Sequence, residues 1–196
     1  LAGPVGYYLY AGRRESDGLS SSRDFDSSSL FSKFSIPVAK DVNLGLTVGF
    51  SNPKNDLGDF PSGDITASSD IRSFFMAASL DASLTPELDL NLSVHRIEQN
   101  FGLRTDTLGL GLISPTKEFF SENTGDERST GANGKLVWTR GRHTAVLGID
   151  ADRGTLDQTL QSAPLPQSFG VPATLVAQPA ITKWAVYAND TIAIDK

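Results

Sequence analysis

Apolar residues recur at every second position through most of this chain, and that period of two limits what it can fold into. Residues 43–51 (NLGLTVGFS) set Leu44, Leu46, Val48 and Phe50 against Asn43, Gly45, Thr47, Gly49 and Ser51. Residues 71–84 set Phe74, Met76, Ala78, Leu80, Ala82 and Leu84 against Ala77, Ser79, Asp81 and Ser83. Successive side chains of a strand point to opposite faces, so each segment reads as a strand with one apolar and one polar side. The same reading holds for residues 6–15, 29–38, 88–104, 130–139, 142–158 and 182–195. In 29–38 the apolar row is Leu30, Phe34, Ile36 and Val38. In 88–104 it is Leu88, Leu90, Leu92 and Val94, facing Asp89, Asn91, Ser93 and His95. Leu136 and Trp138 point outward from 130–139. Ala145, Leu147, Ile149 and Ala151 alternate with Val146, Gly148, Asp150 and Asp152. About eight or nine strands follow, and no long helical pattern.

The links between these segments alternate in length. Tight links at 39–42, 85–87 and 140–142 are interleaved with polar stretches at 16–28, 52–70, 105–128 and 159–180. Polar loops of about 20 residues are uncommon in compact soluble domains. They are ordinary in outer-membrane barrels, where short turns close one end and long loops the other. Each strand candidate also reaches the 9–11 residues or so that a tilted strand needs to cross a bilayer. The expected fold is therefore all-β, an antiparallel transmembrane β-barrel fragment of about 8–9 meandering strands from a larger barrel. Its lipid-facing band would comprise Leu44, Leu46, Val48, Leu80, Leu90, Leu92, Leu136, Leu147 and Ile149. Trp138, Trp184, Tyr187, Tyr7, Tyr8 and Tyr10 fall near strand ends, where interfacial aromatic girdles sit; ordinary strand propensity also accounts for them.

Composition excludes several function classes. A net charge of −6 and a pI near 4.8 argue against nucleic-acid binding. With no cysteine there is neither a disulfide framework nor a thiolate metal site. No apolar run is long enough for a transmembrane helix. The first residues lack the basic and apolar regions of a signal peptide. The only methionine is Met76, and the chain stops in mid-alternation. These features lead us to expect a piece of a longer protein.

Two stretches carry a family resemblance. GRHTAVLGIDADRG (141–154) follows a tight turn and has the form g-x-H-x-hydrophobic-x-x-G-hydrophobic-D/E. After a long polar stretch, KWAVYANDTIAID (183–195) has the form W-x-x-Y-x-x-D. In order and spacing they resemble the barrel of TonB-dependent outer-membrane receptors. YYLYAGRRESDG and FSKFSIPVAKDVNLGLTVGFS resemble that family's early hairpins. The pattern extends over most of the chain and the residue match over about the last third. The resemblance makes 1–196 a partial TonB-dependent receptor-like β-barrel domain, without the N-terminal plug and energy-coupling box of full members, whose barrels have about 22 strands. It implies a Gram-negative outer-membrane location and active uptake of a scarce, large nutrient of the siderophore-iron, haem or cobalamin class. Implied partners are outer-membrane lipid and lipopolysaccharide, the small-molecule or metal-chelate ligand, and the inner-membrane TonB complex, reached through the missing N-terminal region.

The chemistry-bearing residues point to no enzyme, cofactor or metal. Asp150-Ala-Asp152-Arg153-Gly154 departs from a calcium loop, because Arg153 fills a ligand position and no glutamate follows at the required distance. His95 and His143 stand on different strands with no cysteine or second histidine near them in sequence. The resemblance gives His143 a structural place at the periplasmic edge, and alternation turns His95 to the lumen. Gly109-Leu-Gly111 has only the first half of a dinucleotide fingerprint. The sequons at Asn91–Ser93 and Asn189–Thr191 lie inside strands. Arg72, Arg104, Lys117, Arg128 and Arg153, near the external ends, are candidates to meet an anionic ligand or lipopolysaccharide phosphate; no ligand contact can be assigned from sequence. The alternative readings are a passive porin, including a small complete barrel, or a soluble all-β binding or adhesin module, in which the apolar rows would face one another in a dry core.

Overall fold

A computed structural model describes residues 5–17, 24–56, 65–107, 119–162, 170 and 172–194. The strands are β1 (Gly6–Ser16), β2 (Phe25–Ala39), β3 (Val42–Asp56), β4 (Ile65–Thr85), β5 (Leu88–Thr107), β6 (Phe119–Arg140), β7 (His143–Ser162), β8 (Thr174–Ala177) and β9 (Ala180–Ile192). All belong to one antiparallel sheet in chain order from β1 to β7. The last two share β7 as partner: β8 pairs with Gln158–Gln161 and β9 with His143–Thr155. Gln178 and Pro179 interrupt what is otherwise one strand. Proline has no N–H for the ladder, yet its carbonyl accepts from Leu156 N–H at 3.0 Å.

The expected tight links are the turns at 40–41, 86–87 and 141–142. In the last, Gly141 has φ +62°, the left-handed conformation that two-residue hairpins demand at this position and that glycine adopts without steric cost. One expected detail changes. The register slips between Pro37 and Ala39 and again between Ser83 and Thr85, so Val38 and Leu84, the last members of their expected rows, fall at bulges without a directly opposite partner.

The strands are longer than the alternation indicated. β6 begins at Phe119 rather than near 130, β4 at Ile65 rather than 71, and β7 continues to Ser162. Much of the stretches expected as loops is therefore paired strand. Those extensions carry polar side chains on one face and only scattered apolar ones on the other, so a window looking for alternation loses them. The backbone ladder continues regardless. At about 3.3 Å per residue β5 is roughly 65 Å long, about twice the hydrocarbon thickness.

Residues directly opposite each other share a face, so the register converts sequence rows into sheet rows. Ile36, Leu44, Leu80, Leu92, Gly134, Ile149 and Val186 form one row. Leu90, Leu136, Leu147 and Ala188 form the next. Every residue expected in the lipid-facing band lies on this one face. The band is skewed against the rows. It ends at Val94 in β5 but continues in β4, β3 and β2 to Phe74, Phe50 and Leu30, the row that meets Glu98. A level band across tilted strands steps across hydrogen-bonded rows in this way.

Among the described residues no second layer covers either face. Among the described residues only Ala82, Gly131, Gly148 and Ser162 are buried, and no large side chain is fully buried. Leu147 and Ile149 are each 54% exposed. The rows from Leu44 to Phe50 and from Leu88 to Val94 lie side by side on one face of a single sheet, not face to face across a core. A charge placed on that face should therefore be far costlier than one on the other. Leu92→Arg is expected to lower stability by about 2–4 kcal/mol and its neighbour Ser93→Arg by less than about 1. Urea unfolding of the protein in phospholipid vesicles measures both.

Candidate functional site

The opposite face carries the polar residues, and its most built feature lies where the band begins to give way to the strand extensions. Lys33, Thr47, Ala77, His95, Gly131, Asp152 and Lys183 form one row from β2 to β9. His95 and Asp152 are two strands apart, yet His95 Nε2 lies 3.2 Å from Asp152 Oδ1. Gly131 makes this possible. A Cβ at that position would run into both the Asp152 carboxylate and the His95 ring, and the two side chains close over the glycine and bury it. His95 thus points from the face expected of it. Its partner was not legible, because the three residues are spread over 58 positions (152 − 95 + 1).

A second contact of this kind ties together the two stretches that carried the family resemblance. Gly148 lies directly opposite Tyr187. A Cβ on Gly148 would collide with the Tyr187 ring, which lies over the glycine and buries it. Aromatic cover of a cross-strand glycine restores packing that the missing side chain would forfeit. On the other face His143 Nδ1 is 2.9 Å from Asp190 Oδ2. So the H and G of 141–154 meet the D and Y of 183–195. The motifs are two halves of one cross-strand arrangement at the short-turn end of β7 and β9.

Beyond the band the polarity of the sheet inverts. Along β5 the apolar-face series Leu88, Leu90, Leu92, Val94 becomes Arg96, Glu98, Asn100, Gly102, Arg104, Asp106. The opposite series Asp89, Asn91, Ser93, His95 becomes Ile97, Gln99, Phe101, Leu103. β7 does the same: Arg153 and Asp157 follow Ala151, whereas Leu156 and Leu160 follow Asp152. Tyr10, Phe31, Gly49, Phe75 and Ile97 form a row on the opposite face just above the His95 row. Phe31 and Phe75 flank Gly49, and the Tyr8 ring meets Phe31 edge-on at 6.0 Å. This apolar patch was missed because Ile71, Phe101, Leu103, Leu156 and Leu160 sit among polar neighbours at wide spacing.

The remaining candidates are placed as follows. Arg72 and Arg104 lie on the charged extension of the apolar face and pair with Asp70 (3.9 Å) and Asp106 (2.7 Å). Arg128 and Arg153 lie on the same extension, Arg153 in a strand as expected and Arg128 in β6 rather than in a loop. Gly109, Gly111 and Lys117 fall outside the described residues. Asp150 and Asp152 are strand residues two apart on one face, not a loop. Among the described residues no three His, Asp or Glu side chains converge as metal ligands. Both sequons lie within strands, β5 and β9.

The aromatic girdle needs correction. Tyr7, Trp138 and Trp184 lie on the apolar face, opposite Phe34, Leu88 and Ala151 respectively. Tyr8, Tyr10 and Tyr187 lie on the other. Adjacent residues such as Tyr7 and Tyr8 take opposite faces and cannot join one girdle, and Tyr187 is committed to covering Gly148.

No protein-family model matches the chain, and no curated protein sequence is similar to it. Among solved structures the chain resembles part of the RagAB peptide importer in its closed-closed state, at 12% identity and a TM-score of 0.67. The likeness covers 96% of this chain and 28% of that one, so this chain spans about a quarter of the importer chain it matches. At such identity the shared property is the fold: an open antiparallel meander that corresponds to one sector of a large importer barrel.

The cover over Gly148 gives a direct test of this packing. Gly148→Val is expected to destabilise by about 1–3 kcal/mol through overpacking against Tyr187. Tyr187→Ser added to it should recover part of that loss, a non-additivity that a double-mutant cycle in urea reads.

Proposed function

We propose that this chain is a sector of the wall of a TonB-dependent outer-membrane receptor, one that takes up a scarce, bulky nutrient. The single observation that carries the reading is the uncovered apolar face of a one-layer sheet whose strands run in uninterrupted antiparallel order. In water such a face would drive association or collapse. In a bilayer it is the surface a barrel needs, and the hydrogen-bonded ladder pairs the backbone of β2 to β7 on both sides. The fold likeness to an importer and the interlocking of the two receptor-like motifs support the same reading.

On this reading the His95–Asp152 face lines the lumen. The Tyr10–Ile97 patch and the extensions above it stand on the external side, where arriving cargo is met. The wall positions and admits cargo; no residue acts as an acid, base or nucleophile. The energy for opening comes from the inner-membrane TonB complex acting on the receptor's plug. The family resemblance suggests siderophore-iron, haem or cobalamin as cargo, whereas the matched solved structure is a peptide importer.

Two measurements test this. In a Gram-negative host the protein should sediment with the outer membrane, require detergent for release, and migrate differently on gels before and after boiling. Recovery as a soluble periplasmic or cytosolic protein would defeat the reading. Deleting its gene should slow growth when one of peptide, haem, siderophore-iron or cobalamin is the limiting source, and leave growth on the others unchanged. Equal growth on all four would remove the uptake role.

A further inference from the structure

One line across the outer part of the sheet gathers the residues that a strand tolerates least. Ile71, Phe101, Gly125, Gln158 and Ala177 form a row from β4 to β8. Pro53 falls across from Ile71, between the pairs Ser51 with Ser73 and Lys54 with Asp70. Gly102 is next to Phe101, and Pro179 is two residues beyond Ala177. Two prolines and two glycines thus lie within two residues of a single row. Proline removes a ladder donor, and glycine lets a strand bend. A cavity of about 460 Å³ follows the same line, past Arg72, Gly102, Asp126 and Gln178.

The two prolines interrupt different borders. Pairing of β2 with β3 runs through Pro53, whereas pairing of β3 with β4 skips Asn52 and Pro53. The missing N–H is therefore one that β4 would have received. The Asn52 side chain stands in for it. With its amide nitrogen toward β4, it donates to Ile71 O at 3.1 Å and to Asp70 Oδ1 at 3.2 Å. Beyond this gap, among the described residues, three pairs join β3 to β4, from Lys54 with Asp70 to Asp56 with Ser68. They are reinforced by the Lys54–Asp70 ion pair at 3.5 Å and by Asn55 Nδ2 donating to Ser69 Oγ at 3.1 Å. A solvent-accessible ion pair of this kind adds little. At the other border Gln178 and Pro179 part β8, which pairs with the top of β7, from β9, which pairs with its lower part.

Between these two breaks the ladder crosses the line intact. It continues up to Ile65 with Thr107, Thr107 with Phe119, and Ser121 with Ser162. β8 joins the same unit through Gln158–Gln161. Ser162 fastens the chain ahead of β8: its N–H donates to Ala173 O and its Oγ to Pro172 O, each at 3.0 Å. The outer ends of β4 to β7, together with β8, therefore hold together as one body. Its strands carry glycine where they meet the rest of the sheet. A Cβ on Gly102 would meet nothing within 4 Å beyond its chain neighbours, and Gly125 lies under the Phe101 ring.

We propose that this body is a hinged panel of the wall. It turns about the line through Pro53, Gly102, Gly125 and Pro179, opening and closing the seam between β3 and β4. In doing so it widens or narrows the mouth above the Tyr10–Ile97 patch. The proposal rests on the reading of the extensions as standing outside the membrane, where water can pair with the ladder groups that an open seam exposes. From Ile71 to Ile65 about 20 Å of strand stands beyond the line at about 3.3 Å per residue, so a turn of roughly 15° carries the top of the panel about 5 Å.

The test uses the receptor produced in an outer membrane and reconstituted in phospholipid vesicles, with nitroxide pairs read by double electron–electron resonance. Glu15→Cys/Gln161→Cys places labels on either side of the seam, and Thr66→Cys/Gln161→Cys places both on the panel; all three positions are exposed. The first pair should give a distance distribution broader than the second by about 5 Å, the travel of the panel top. Pro53→Thr/Gly102→Thr restores the ladder donor and stiffens β5. It should narrow the first distribution to the width of the second. The same variant should slow amide hydrogen exchange at residues 54–56 and 68–70 roughly fivefold, the worth of one ladder hydrogen bond. Equal widths in the wild type, unslowed exchange in the variant, or a spread that persists once exchange has slowed would each overturn the hinge. The heat-dependent gel shift of the same samples separates the two levels. A shifting barrel with equal widths refutes the hinge alone, and a protein that never shows the shift refutes the membrane reading beneath it.

Discussion

Backbone N–H and C=O groups must find partners wherever a chain runs, and hydrocarbon offers none. A strand that enters lipid therefore depends on the strand beside it for every polar group of its main chain. That requirement accounts for the meander order, in which each of β2 to β6 is flanked by its neighbours in sequence. It does not set strand length, since β4 to β7 run to 20 residues or more, well beyond what a bilayer crossing needs. The ladder, not a packed interior, holds the sheet together, and side chains are free to answer to two solvents. With no large side chain fully buried among the described residues, stability comes from cross-strand pairs and from the medium on the apolar face.

Where close packing does occur, glycine makes it possible. At Gly131 and Gly148 the absent side chain is replaced by a neighbour's: the His95–Asp152 pair over one, the Tyr187 ring over the other. These two covered glycines account for two of the four buried positions in the described chain. They link β5 to β7 and β7 to β9 on the face away from the apolar band.

The alternating part of the fold was legible because its signal is strict. The alternation from Leu44 to Phe50, from Phe74 to Leu84 and from Leu88 to Val94 located strands, faces and the apolar band. The turns at 86–87 and 141–142 marked one end. The extensions were not legible, since residues 52–56, 65–70, 105–107 and 119–129 have polar side chains on one face and few apolar ones on the other, and pairing there is dictated by the strands already formed. The cross-strand contacts were hidden for a different reason. His95 with Asp152, His143 with Asp190, and Gly148 with Tyr187 each depend on register between residues far apart in sequence. The motif residues of 141–154 and 183–195 could be recognised as a pattern, but what joins them required the register to be seen. The tyrosines misled because a count of aromatics near strand ends ignores which face each one takes.

The absence of native cysteine makes the central claim open to direct measurement. Single cysteines placed in turn along residues 88–106 of the membrane-inserted protein can carry a nitroxide whose contact with oxygen in lipid, or with a water-soluble nickel chelate, is read by electron paramagnetic resonance. From 88 to 94 even positions should report lipid and odd positions water. From 96 onward the even positions should also report water, so the alternation stops at Arg96. Equal exclusion of both probes from even positions 88–94 would place that row in a dry protein interior and contradict the account.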